Sequence, residues 1–135
     1  MSDEADTFER GMATRRAVLG DTHVNGAETA KTAFDADFQT FITEGAWGSV
    51  WARPGFTKRE RSIVTIALLA ALGQDEEVAM HVRATRNTGA TMEDIREALL
   101  HVAVYAGVPA ANHAFKIVKT VFAENEPASV KTPNP

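Results

Sequence analysis

Histidine and carboxylate side chains at helical spacing are the first feature of this sequence suited to proton transfer. His81 follows Glu77 by four residues, so the two share one face of a helix. A carboxylate one turn before an imidazole fixes its tautomer, raises its pKa and makes it a proton donor near neutral pH. Ala84 and Thr88 continue that face with small side chains, leaving room for a ligand or a neighbouring helix. The same spacing also describes an ordinary surface pair worth a few tenths of a kcal/mol, about 0.3.

The other histidines have different settings. His23 lies in the turn-like run Gly20-Asp21-Thr22-His23, close in sequence to Arg15 and Arg16. His101 sits between Glu97 and Tyr105 on the less apolar side of its helix, the position of a hydrogen-bonded boundary residue. His113 shares a face with Lys116 and Thr120 and reads as solvent surface. Glu77 and His81 offer two metal ligands, but no second histidine follows at helical spacing and there is no H-E-x-x-H pattern, so no metal site is expected.

Residues 47–55, Trp-Gly-Ser-Val-Trp-Ala-Arg-Pro-Gly, hold both tryptophans of the chain and set Arg53 between aromatics and a rigid turn. A guanidinium so placed suits a bidentate carboxylate contact, or stacks on Trp47 or Trp51 as part of a core or interface. Gly-rich phosphate loops, a Walker pattern and a G-x-S-x-G elbow are absent. The chain has no cysteine, which removes disulfides, thiolate ligands and thiol redox chemistry. Acid–base chemistry without a cofactor, or assembly alone, remains.

The elements that must position these groups are helical. Ala30, Phe34, Phe38, Phe41 and Ile42 form an apolar stripe that predicts a helix over 28–43. Residues 45–55 are dense in Gly and Pro and predict a turn-rich connection. Residues 58–72 are apolar nearly all round after Ser62, which predicts a central helix. Further helices are predicted over 75–87, from the N-cap Thr91 to Gly107, and from Pro109 onward, with a shorter one over 10–20 closed by Gly20. No strand pattern competes, so the fold class is all-α.

With 135 residues and a net charge of −4, one domain is expected, with no basic footprint for nucleic acid. The longest apolar run, residues 63–72, is about half a membrane span, and the acidic start lacks a signal-peptide pattern. No membrane association and a cytoplasmic location follow. Residues 1–7 and 124–135 read as loose tails around a domain over 8–123. The 23 alanines let helices approach closely but bury little area each, which favours completing the core by oligomerisation.

Four blocks then carry a resemblance: Arg16–Val24, Glu44–Gly55, Glu77–Arg83 with Asn87-Thr88-Gly89, and Leu100–Ala111. The strings W-G-x-V-W-x-R-P-G and Y-x-G-V-P-A-A are the most specific. On them the chain resembles the gamma-carboxymuconolactone decarboxylase family of the alkylhydroperoxidase D-like superfamily. The resemblance implies a helical bundle of that type, assembled as a homo-oligomer, a hexamer or else a trimer. Peroxidase relatives use a C-x-x-C pair that is missing here, where Gln74 and Glu77 stand.

The implied activity is decarboxylation of a dicarboxylate lactone to the beta-ketoadipate enol-lactone in protocatechuate catabolism, with no cofactor. The implied roles are His81 as proton donor oriented by Glu77, Arg53 or Arg16 on the acetate arm, and His23 or Arg83 on the developing oxyanion. Tyr105 is a further hydrogen-bond donor, and Trp47 and Trp51 exclude water. Helical geometry sets Arg83 about 160° around from His81, so the two do not face one pocket of a single subunit. The competing expectation is a non-catalytic, stress-linked oligomer that binds a small acidic metabolite.

Overall fold

The computed structural model describes residues 3–124, with side chains from residue 6 onward. Among the described residues there is no strand. The elements are α1 (Asp3–Leu19), α2 (Asp21–Ala30), α3 (Ala36–Ile42), a π-helix (Thr43–Trp51), α4 (Lys58–Leu72), α5 (Asp75–Thr88), α6 (Met92–Tyr105) and α7 (Val108–Glu124). They fall into two compact units, one up to Arg61 with Arg86–Gly89, the other Ser62–Thr85 with the residues from Ala90 on. The all-α expectation stands.

In the first unit α1 lies against the π-helix. Two glycines permit the approach: a Cβ on Gly11 would overlap the Thr43 carbonyl oxygen, and one on Gly48 would overlap that of Thr7. Arg10 Nε donates to Gly48 O at 3.2 Å, tying the π-helix back to α1. Gly20, at φ 92°, lets the chain turn from α1 into α2, a conformation L side chains resist. The end of α5 closes this unit, where Asn87 Nδ2 donates to Val18 O at 2.9 Å.

Several local expectations change. The helix predicted over 28–43 is broken at residues 31–35. There Asp35 Oδ1 accepts from Thr32 N at 2.8 Å, and Thr32 Oγ1 accepts from Phe34 N at 3.3 Å. These side chains compete with helical bonding and reverse the chain. His23 lies within α2 rather than in a turn, because Gly20 supplies the break earlier. The turn-rich connection expected over 45–55 is a π-helix up to Trp51 and turns only after it; Gly48 here serves close packing on α1, whereas Gly45 faces open space. Of the loose segment expected over 1–7, residues 3–7 belong to α1, which begins at Asp3, and residues 1–2 lie outside the described residues. At the other end Glu124 closes α7, and the rest of the expected tail lies outside the described residues.

The second unit is built on a buried cluster of Ile66, Ala70, Val78, Val82, Ile95, Leu99, Val102 and the α7 stripe Ala111, Ala114, Val118, Val121. α6 opens with a capping box in which Asp94 N donates to Thr91 Oγ1 and Thr91 N donates to Asp94 Oδ2. α4 buries only the stripe Ser62, Ile66 and Ala70. Val64, Leu68 and Leu72 are exposed, which corrects its expected place at the centre of the fold. Phe34, Phe38 and Phe41 are exposed too, Phe34 at 98%, so the phenylalanines of the stripe that suggested an amphipathic helix find no cover among the described residues.

Candidate active site

In the second unit, α5 carries His81 at 6% exposure, between Val78 and Val82 of the core cluster. Burial of an imidazole takes it out of bulk water, where a directed proton transfer is protected from competing solvent. Glu77 is on the same helix but exposed, and neither a hydrogen bond nor an ion pair joins it to His81. Helical periodicity brought the pair to one face; the margin of that face, between core and solvent, passes between them. The orienting role expected of Glu77 is therefore not one this arrangement supplies.

Arg83 donates through Nε and Nη2 to the two carboxylate oxygens of Glu124, at 3.1 and 2.9 Å. This fork raises the Arg83 pKa through the hydrogen bond to Glu124. Its donors are thus committed on an exposed surface, against the expectation of a substrate contact. Tyr105 is 84% exposed and stacks on His101 with ring centroids 6.1 Å apart, so it is not set to donate into an enclosed site. His113, expected as free surface, bonds Asp75 Oδ2 at 2.7 Å. An apolar groove of about 400 Å³ runs between α4 and α6, with Val64 and Leu68 on one side and Glu97 and His101 on the other.

In the first unit, Trp47 and Trp51 are both buried on the π-helix, with ring centroids 5.1 Å apart and planes tilted by 38°. The π-helix is a rare element that recurs at functional sites, and here it carries both tryptophans on its buried side. Arg53 follows on the turn after it. Its backbone is held, N to Val50 O at 3.1 Å and O from Arg61 Nη2 at 3.0 Å, while its side chain is exposed. Arg61 also lies over the Phe56 ring at 5.6 Å, which stiffens this turn. Arg16 is engaged by Asp21 at 3.1 Å and Asn25 at 2.9 Å, and His23 is exposed on α2.

One residue of this unit was missed from the sequence. Arg15 is 5% exposed, and its Nη1 and Nη2 reach Thr43 Oγ1 at 3.4 Å and Gln39 Oε1 at 3.2 Å. Burial lowers its pKa, opposed by the charge of Glu28 and assisted by that of Arg16. The available signal was its spacing: Arg15 falls at i+4 from Gly11 and i−4 from Leu19, on the packed face of α1. Among the described residues no group of three His, Cys, Asp or Glu side chains is placed to hold a metal ion, and no helix is long and apolar enough to cross a membrane.

The comparisons with known proteins agree with the residue blocks. The profile of the carboxymuconolactone decarboxylase family matches residues 36–120. The chain is 45% identical over 122 residues to 4-carboxymuconolactone decarboxylase of Acinetobacter baylyi, covering 90% of each chain. It is 39% identical over 112 residues to nitrosuccinic acid decarboxylase of Metarhizium robertsii, covering 83% of this chain and 78% of the other. A 46-residue stretch, 34% of this chain, is 44% identical to 96% of a 4-carboxymuconolactone decarboxylase sequence from Pseudomonas putida. The reach and level of these matches place the chain in the carboxymuconolactone decarboxylase family.

Proposed function

We propose that the chain is a cytoplasmic carboxy-lyase that converts 4-carboxymuconolactone to CO2 and the beta-ketoadipate enol-lactone of protocatechuate catabolism, with no cofactor. One observation carries the reading: the 45% identity over 90% of both chains to a protein named for that reaction. The chemistry is compatible with unaided side chains. The departing carboxylate sits on the γ carbon of an α,β-unsaturated lactone. As the carbon–carboxylate bond breaks, its electron pair passes through the double bond to the lactone carbonyl oxygen. A proton added at the α carbon completes the enol-lactone. Nitrosuccinic acid, the substrate named for the fungal relative, is likewise a dicarboxylic acid with a built-in electron sink.

The roles follow from this electron flow. His81 donates the proton at the α carbon; its burial supports that assignment. Arg53, whose guanidinium is exposed, meets an incoming carboxylate, whereas Arg16 is occupied by Asp21 and Asn25. Arg83 is held by Glu124, which leaves His23 of the two donors considered for the developing oxyanion. Trp47 and Trp51 supply apolar walls that keep water from the dienolate. The chain works as a homo-oligomer, a hexamer by resemblance, supported by the uncovered apolar residues of α3, α4 and α6.

Purified protein incubated with 4-carboxymuconolactone should release one CO2 per lactone and continue to do so in excess EDTA. Absence of CO2 would overturn the reading of the reaction, and loss restored by one metal would overturn the reading of its chemistry.

A further inference from the structure

A guanidinium presents its N–H groups in pairs, and the edge formed by Nε and Nη2 matches the two oxygens of a carboxylate. Arg83 shows that fork filled by Glu124 within this chain. At Arg15 the same edge is half filled. Nη2 donates to the neutral amide oxygen of Gln39 at 3.2 Å, and Nε is buried with no hydrogen-bond partner. Nη1, on Thr43 Oγ1 at 3.4 Å, fixes the plane of the group against the start of the π-helix. No carboxylate among the described residues bonds to Arg15, and the nearby Glu28 is paired with Lys31 at 3.0 Å. A buried cation with neutral acceptors and a spare donor is a site that an anion completes. Gln39 is half-buried, so the Nη2 end is the one a ligand reaches, by displacing its side-chain amide.

We propose that Arg15 is the anchor for the carboxylate that the substrate keeps, the acetate arm of the lactone, bound side-on through Nε and Nη2 with Gln39 swung aside. The inference rests on the lactone reading above. The retained carboxylate is the one suited to a buried fixed cation. A cation held on the departing carboxylate would stabilise charge that the reaction must remove, and would slow it. Arg15 thereby selects lactones bearing an anionic arm, and Arg53 on its exposed turn meets the substrate on arrival.

The test uses muconolactone, the same lactone with its acetate arm and with hydrogen in place of the departing carboxylate. In the wild-type protein it should inhibit competitively. Arg15→Gln should raise both its Ki and the substrate KM by about 10- to 100-fold, the usual effect of losing a charged hydrogen-bond pair, with a smaller change in kcat. Arg15→Lys should recover part of that loss. Gln39→Glu keeps Arg15 and fills its fork from within; it should raise the melting temperature and raise KM and Ki together. If Arg15 only pins the π-helix, Arg15→Gln would lower the melting temperature with Ki and KM unchanged in the folded fraction, and the proposal falls. Unchanged KM and Ki in Gln39→Glu would overturn it even if Arg15→Gln failed to fold. A wild-type protein that turns over the lactone while these variants bind normally refutes the anchor alone; a wild-type protein that releases no CO2 refutes the reaction.

Discussion

At the scale of single residues, the difference in burial between His81 and Glu77 decides what each substitution should do. His81→Ala should lower kcat by roughly 10²–10⁴-fold, the span of a positioned proton donor, while α5 persists because alanine favours a helix. Stopped-flow or CO2 assays beside circular dichroism check both parts; full turnover in a folded variant would end the assignment. Glu77→Gln should leave kcat and its pH profile unchanged, since the carboxylate is exposed and makes no bond to the imidazole. A downward shift of the active pH range in that variant would restore the orienting role. Sequence spacing marked His81 and Glu77 together. It cannot say which side of a helix faces the core at a boundary, and only the packed structure separates them.

Among the elements, the π-helix is held by close backbone approach rather than by its own sequence. Gly48→Ala would drive a Cβ into the Thr7 carbonyl oxygen. It should cost about 1–3 kcal/mol as an overpacking change, read as an earlier urea midpoint, and should lower activity by displacing Trp47 and Trp51. A variant as stable as wild type would show that α1 and the π-helix are not in contact. The entry to α4 gives a pH-dependent counterpart. Glu60 Oε1 accepts from Thr57 N at 2.8 Å and from its hydroxyl at 3.0 Å, and Glu60 N donates back to Thr57 Oγ1 at 3.1 Å. The backbone bond first, then the hydroxyl, hold its carboxyl below the ordinary value of 4.5. A depressed folded-state pKa stabilises the fold above the ordinary value, and that contribution is lost as pH falls through the depressed one. Glu60→Gln should therefore lower the melting temperature near neutrality, with the difference fading below about pH 4. A difference constant down to strong acid would exclude the carboxylate cap.

For the whole molecule, the apolar residues left uncovered are the dominant fact. Phe34, Phe38 and Phe41 on one unit, and Val64, Leu68, Leu72, Leu100 and Val104 on the other, are large apolar side chains left exposed, which favours a covering partner. Sedimentation should give a species larger than a dimer. Leu68→Lys should shift it to smaller species with helicity retained, since the side chain is outside the core of its own chain. A stable, active wild-type monomer at micromolar concentration would refute the oligomer.

The sequence by itself determined the helical class and four of the helices to within a few residues. Those features depend on local periodicity and caps such as Thr91, which neighbours in the chain decide. It also marked His81, Trp47 and Trp51 by type and setting. The tertiary structure decided the rest. The break at residues 31–35 depends on Thr32 and Asp35 side chains bonding locally, and the π-helix on Gly11 and Gly48 meeting across α1. Whether a charged residue is a ligand or a surface pair depends on distant partners: Glu124, 41 residues from Arg83, takes that guanidinium out of service, and Gln39 leaves Arg15 half filled. Periodicity reports only the chain's own turn, whereas a charge takes its meaning from whatever the fold sets opposite it.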